Sequence, residues 1–234
     1  MEEKAYYEDT IELAMQYMTE KYGMQFTPIS YDISDYLSSK DTVECITDEM
    51  DPEQERIFVS VEMVPKTENS DETEKVFQFH DSYFGRLIRP AMEEGLTRIF
   101  RAEFNKVKVF RDAINSPLPD HLGPDSSLSD FYKELPSYRM CVKIYVGKDP
   151  DLSQDEFENR MKRLEKRLMD SGHRYTIYLK ALPYPEFEKI DRYVQDENEQ
   201  DDVPGEMNDP AAEEMSQEYT YYATISDREV HRYG

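Results

Sequence analysis

Between Tyr138 and Ala181 the chain alternates, coils and alternates again, and this order restricts the fold more than any other feature. Tyr138, Met140, Val142, Ile144 and Val146 fall at every second position, the period of a strand with one buried face. Ser153 then offers an N-cap oxygen and Glu156, three residues on, completes the pattern of a capping box. Leu152 and Phe157 stand where a hydrophobic staple would fix the entry of the chain. Phe157, Met161, Leu164 and Leu168 follow at helical spacing, Gly172 supplies a stop, and Tyr175, Ile177, Leu179 and Ala181 restore the period of two. Residues 138–182 are therefore expected to form a β-α-β unit, its strands parallel and its crossover right-handed if they share a sheet.

A second unit of this kind is expected over residues 75–111. Strand Val76–Phe79 leads into a helix of about 86–104 with Ile88, Met92, Leu96 and Ile99 on one face, and strand Val107–Phe110 follows. Proline belongs in a first helical turn, so Pro90 predicts a regular helix starting closer to 89 than to 86. Upstream, Tyr7, Ile11, Ala14, Met18 and Tyr22 mark a helix of about 4–22 stopped by Gly23. Alternation at Ile29, Tyr31 and Ile33, at Val43 and Cys45, and at Ile57, Val59, Val61 and Met63 predicts antiparallel strands. A short helix near Glu186–Tyr193 and a strand Tyr219–Ile225 complete an α+β fold of mixed sheets packed against helices. The two β-α-β units suggest a pseudo-repeat of architecture, although their side chains do not align. Pro117, Pro119, Gly123 and Pro124 mark residues 115–127 as a linker, followed by a short helix at Ser129–Leu135. This predicts domains at 1–114 and 128–234, with one single α+β domain as the alternative.

Charge narrows the partners. Asp and Glu number 51 against 28 Lys and Arg, a net charge of −23, which disfavours direct binding to nucleic acid or anionic membranes. A basic protein partner, recognised through an acidic or Tyr-rich surface, is the better expectation, and the 18 tyrosines suit broad contact at little entropic cost. Residues 196–218 hold ten acidic residues and no Lys or Arg, as expected of a disordered acidic loop. The balance reverses over 86–111, where Arg86, Arg89, Arg98, Arg101, Lys106, Lys108 and Arg111 face only Glu93, Glu94 and Glu103. That island, with Phe110 beside Lys106 and Lys108, is a candidate docking patch for an anionic ligand or an acidic partner segment. The competing reading pairs these cations with the chain's own acidic surface.

Compact catalytic motifs are missing. The sequence contains no G-x-G-x-x-G, no G-x-x-x-x-G-K-[ST], no G-x-S-x-G and no H-E-x-x-H, so no cofactor is expected. His80, His121, His173 and His231 are too widely spaced to present paired metal ligands. Cys45 and Cys141 lack C-x-x-C spacing and fall in strand candidates, which predicts two reduced, buried thiols. The best polar pair is His80 and Asp81 at a strand end, where a carboxylate could hold an imidazole as general base. A hydrolase or transferase using them is one alternative to the leading reading, a non-enzymatic acidic binding or accessory protein; a DNA mimic that occupies a basic site is another. No stretch reaches the roughly 20 apolar residues of a membrane span. The opening Met1-Glu2-Glu3-Lys4 lacks a secretory pattern, so the expected compartment is the cytoplasm, or the cell surface if a signal has been removed.

Asp81-Ser82-Tyr83-Phe84-Gly85-Arg86-Leu87-Ile88-Arg89, with the helix and the Lys106–Phe110 strand after it, resembles uncharacterised proteins of Gram-positive gut bacteria, some of them surface lipoproteins. The resemblance spans residues 81–111. It implies a surface location for those proteins, but no activity and no functional residue.

Overall fold

The computed structural model describes residues 2–33, 40–52, 55–65, 75–114, 116–192 and 219–233. The acidic stretch 196–218 and Tyr193 lie outside the described residues, while the helix expected over 186–193 runs from Tyr184 and ends at Lys189, before the extended Ile190. Contacts gather the α+β chain into two compact units, Met1–Arg89 with Ala113–Glu134, and Pro90–Asp112 with Leu135–Gly234.

In the first unit, helix α1 (Glu2–Tyr22) ends at Gly23, whose φ of 68° is the left-handed conformation glycine reaches without strain. Strands β1 (Thr27–Asp32), β2 (Asp41–Ile46), β3 (Ile57–Pro65) and β4 (Lys75–Asp81) form an antiparallel sheet in sequence order. Ala14 and Met18 of α1 join Val43, Cys45, Ile57, Val59 and Val61 in one core. The alternation expected at Ile29, Tyr31 and Ile33 does not produce a buried face. The register shifts between Pro28 and Ser30, and Ile29 is left 39% exposed. A bulge residue has no partner to set its side.

Helix α2 (Tyr83–Phe100) begins earlier than Pro90 led us to expect. The Tyr83 N–H donates to Asp81 Oδ1 at 2.8 Å, and this anchor starts the helix before the proline. Pro90 is thus interior and leaves one rung of the ladder unmade. The division between the units falls at this point, between Arg89 and Pro90. Of the expected linker 115–127, the described residues 116–127 pack within the first unit: Leu118 and Leu122 are buried, and the Leu118 N–H donates to the Asp81 carbonyl at 2.8 Å. Prolines and Gly123 turn the chain here, while the leucines between them tie it down. Helix α3 (Leu128–Glu134) follows, capped by Ser127.

The second unit contains the unit expected over 138–182. Strand β6 (Arg139–Lys148), helix α4 (Gln154–Asp170) and strand β7 (Arg174–Pro183) follow one another, and β6 and β7 are parallel neighbours. Around them stand β5 (Val107–Arg111), β8 (Tyr219–Ile225) and β9 (Val230–Tyr233), in the order β5-β6-β7-β8-β9 with every other pairing antiparallel. Strands β4 and β5 lie in different sheets, so residues 75–111 are strand-helix-strand in sequence without a shared sheet. Helix α5 (Tyr184–Lys189) completes the unit.

Helix α4 is set by its cap and its stripe. Ser153 Oγ accepts from the Glu156 N–H at 3.2 Å, and Phe157, Met161, Leu164 and Leu168 are all buried. The reciprocal half of the capping box is replaced: the Glu156 carboxylate accepts from Arg160 at 3.1 Å and from Arg163 at 3.2 Å. A single cap bond remains, so Ser153→Ala is expected to cost about 1 kcal/mol in urea unfolding. No measurable loss would mean the Ser153 bond does not hold the helix start.

Candidate functional site

The pleat assigns every residue of the second sheet to one of two faces. Val142, Ile144, Ile177, Leu179, Ala223 and Ile225 are buried on the face that meets α4. Contact on that face includes Phe157 against Tyr219 at 5.3 Å and the Tyr221 hydroxyl donating to Glu165 at 2.7 Å. Arg232 of β9 grips the same carboxylate through Nε at 2.6 Å and a terminal nitrogen at 2.7 Å. Burial pushes the Tyr221 hydroxyl pKa up, as does its bond to Glu165, so it remains a donor.

The opposite face is covered only in part. Helix α5 packs at one end, where Phe187 and Ile190 meet Tyr145, Leu182 and Phe110. Lys108 closes the C-terminus of α5, donating to the carbonyls of Phe187 at 2.9 Å, Glu188 at 3.1 Å and Ile190 at 2.7 Å. Beyond α5, Arg139, Cys141, Arg174 and Tyr222 on this face are exposed among the described residues. Cross-strand register places Phe110, Lys143, Tyr178, Tyr222 and Tyr233 in one row across all five strands. Tyr222 is 43% and Tyr233 51% exposed, with their rings 4.8 Å apart. Lys180 lies in the next row with its ammonium 5.5 Å from the Tyr178 ring. On the other side of the row stand Cys141 and Thr176, and then Arg139 directly opposite Arg174, both exposed. Neither arginine side chain has a partner among the described residues. The five strands carry eight Lys or Arg and no Asp or Glu, in a chain with 51 acidic residues. Where β9 ends opposite Tyr222, a cleft of about 310 Å³ opens at the sheet edge, lined by Phe157, Met161, Tyr221, Tyr222, Arg232 and Tyr233 among others.

The cations singled out from sequence go to several places. Arg86 and Arg89 belong to the first unit and both pair with Glu55, Arg89 at 2.8 Å. Burial alone would raise the Glu55 carboxyl, but the two guanidiniums outweigh it and hold it below the ordinary range. Arg98 pairs with Glu94 at 3.1 Å on the exposed side of α2, and Arg101 is exposed just beyond that helix. Lys106 pairs with Glu188 and lies over the Tyr184 ring. Lys108 and Phe110 sit at the α5 border of the open face, so this end of the island does adjoin it. Sequence distance missed Arg139, Lys143, Arg174, Lys180, Tyr178, Tyr222 and Tyr233. A usable signal existed: the alternation that buries Met140, Val142 and Ile144 turns Arg139, Cys141 and Lys143 to the other face.

His80 and Asp81 are not brought together. Neighbours on a strand point to opposite faces, and Asp81 points inward. Its carboxylate accepts from Lys21 at 2.7 Å, the Tyr22 hydroxyl at 2.7 Å, the Tyr17 hydroxyl at 3.0 Å and the Tyr83 N–H at 2.8 Å. His80 is half-buried and pairs in register with Ser60, whose hydroxyl is sealed from solvent without a hydrogen-bond partner. Among the described residues, no group of three or more His, Cys, Asp or Glu could hold a metal ion. None of the described helices is long and apolar enough to cross a membrane.

Cys45 is buried as expected, and Cys141 is not: Cys141 lies on the open face because its neighbours Met140 and Val142 take the buried side. Burial, with the Asp81 charge added, pushes the Cys45 thiol up to about 12. Alkylation of the native protein is expected to modify Cys141 alone, with Cys45 reacting only in denaturant. Equal native rates would contradict this placement.

No protein-family model matches the chain, and no curated protein matches it. It is distantly similar to the crystal structure of a DUF5037 family protein from Ruminococcus gnavus ATCC 29149, at 15% identity over 93% of this chain and 91% of that chain, with a TM-score of 0.44.

Proposed function

We propose that this chain is a non-enzymatic binding protein that holds a protein partner on the open face of its second sheet. The observation that carries the reading is the composition of that face: an exposed tyrosine row flanked by cations, with no carboxylate on any of the five strands. Tyrosine presents a broad amphipathic surface, and arginine is the other side chain favoured where partners meet. In a chain of net charge −23, a sheet free of acid is an electrostatic feature that a partner can read.

We place this binding in the cytoplasm, where an exposed thiol such as Cys141 stays reduced. A surface location, as in the lipoproteins that residues 81–111 resemble, would expose Cys141 to oxidation. The test is affinity capture with the full chain, comparing wild type with Tyr222→Ala/Tyr233→Ala. The two rings are about half exposed and pack on each other across β8 and β9, so the variant is expected to keep its circular dichroism and to lose no more than about 1 kcal/mol of stability. Partners retained by wild type and lost by the variant support the reading. Capture unchanged by the double substitution would contradict it.

A further inference from the structure

We infer that the partner anchors at the edge of this sheet through a basic side chain, a lysine or arginine of an extended segment, seated in the aromatic cleft beside β9. The inference rests on the binding reading above and names the chemistry the partner brings. The cleft shares Tyr222 and Tyr233 with the tyrosine row, so one segment can lie on both. Its volume of about 310 Å³ is at the small end of ligand sites and has room for one long side chain.

Aromatic rings supply most of the lining. Phe157, Met161 and Tyr221 are buried and close the base, while Tyr222 and Tyr233 stand about half exposed at the mouth. A ring attracts a cation through its quadrupole, and the stem of lysine or arginine is apolar enough to lie along the walls. This molecule seats its own cations in that way: Lys148 lies 4.0 Å from the Tyr219 ring centre, Lys106 4.5 Å from that of Tyr184 and Lys108 4.8 Å from that of Phe187. Among the described residues, the four rings of the cleft carry no such cation.

Charge at the rim selects the sign. Arg232 is matched by Glu165, which it grips at 2.6 and 2.7 Å. Glu158 is not matched: its carboxylate accepts from the Gln154 amide at 3.1 Å and meets no cation among the described residues. An anion would be repelled by Glu158, and an apolar side chain would leave it without a partner. The first turn of α4, where an anion could otherwise be favoured, already carries Asp155 and Glu156. Arg174 and its neighbour Arg139 lie at the far end of the strands, four residues from Tyr178 along β7. That is about 13 Å at the strand rise, beyond the screening length of about 8 Å.

The sheet edge favours a polypeptide as the source of the cation. Tyr222 pairs with Tyr233 where β9 ends, so Tyr219–Tyr221 have β7 on one side and no described strand on the other. An extended segment laid there continues the line of β9 and makes main-chain hydrogen bonds to β8. Residues directly opposite in a sheet share a face, so its side chain across from Tyr221 points toward α4 and into the cleft.

The experiment uses the full chain and three labelled seven-residue peptides that alternate threonine with lysine, norleucine or glutamate, titrated by fluorescence anisotropy. The lysine peptide is expected to bind. Glu158→Gln should weaken it by about fivefold, and Tyr222→Leu/Tyr233→Leu, which keeps apolar bulk without the rings, by a similar factor. Asp170→Asn neutralises an exposed carboxylate twelve residues further along α4, about 18 Å away, and should change binding by less than about twofold. That control separates the cleft from a general attraction to an acidic chain. If the leucine variant does not fold, Glu158→Gln decides alone, because Glu158 is exposed and its carboxylate makes only the Gln154 bond. A lysine peptide that fails to bind, or binds the folded cleft variants as tightly as wild type, overturns the inference. So does a norleucine peptide that binds as well as the lysine peptide, or a glutamate peptide that binds better. In each of those cases the broader reading still stands if Tyr222→Ala/Tyr233→Ala loses its captured partner, and it falls if capture too is unchanged.

Discussion

Replacing Asp81 by alanine is expected to destabilise the first unit by about 3–5 kcal/mol, measured as the shift in its urea unfolding. The Asp81 side chain is fully buried, and that of Lys21 is 11% exposed at 2.7 Å from it. Removing the carboxylate takes away the acceptor of the Tyr22 hydroxyl and leaves the Lys21 ammonium with only the Tyr17 hydroxyl at 2.8 Å and the exposed Asp120 carboxylate at 3.6 Å. Burial comes first, and the Asp81 charge next, in pushing the Tyr17 and Tyr22 pKa values upward, which favours both as protonated donors to the carboxylate. The Tyr83 bond at the start of α2 depends on the same carboxylate. Asp81→Asn should cost less than alanine, because the amide oxygen can still accept. An alanine variant with unchanged stability would show that the cluster is not holding the unit together.

Leu164→Ala should cost about 2–5 kcal/mol in the second unit. Leu164 has no exposed surface and sits mid-stripe on α4 between Met161 and Leu168, both buried. The large side chains around it leave little to collapse into the space, so a cavity term adds to the lost transfer energy. The cost should exceed that of Ser153→Ala clearly, since a cap bond at the helix start is worth about 1 kcal/mol. Near-equal, small losses from both would mean that α4 does not bury this stripe.

Periodicity carried most of the fold. The 138–182 unit, the helix stripes and both glycine stops could be read because each depends on neighbours within a few residues. Strand partners could not. Nothing local in Val107–Phe110 says that it pairs antiparallel with β6, or that β4 belongs to another sheet. The start of α2 departs from its expectation because Pro90 marks a first turn by its residue type, whereas the Asp81 carboxylate anchors the helix seven residues earlier, at Tyr83. Chemistry was harder to read. His80 and Asp81 look paired in sequence, and the pleat separates them. The 86–111 island is a run along the chain, whereas the open face is assembled across strands from residues as distant as Phe110 and Tyr233. The strand alternation already held half of that face: once Met140 and Val142 are buried, Arg139 and Cys141 must point outward.

Cys141 makes the central claim measurable, since its thiol lies on the open face between Arg139 and Lys143. The most direct measurement is its alkylation rate in the native full chain, with and without a saturating amount of the captured partner. A partner docked on that face should slow modification severalfold, with Cys45 unreactive throughout and the Tyr222→Ala/Tyr233→Ala variant showing no such protection. An unchanged Cys141 rate in the saturated complex would place the partner elsewhere and contradict the account.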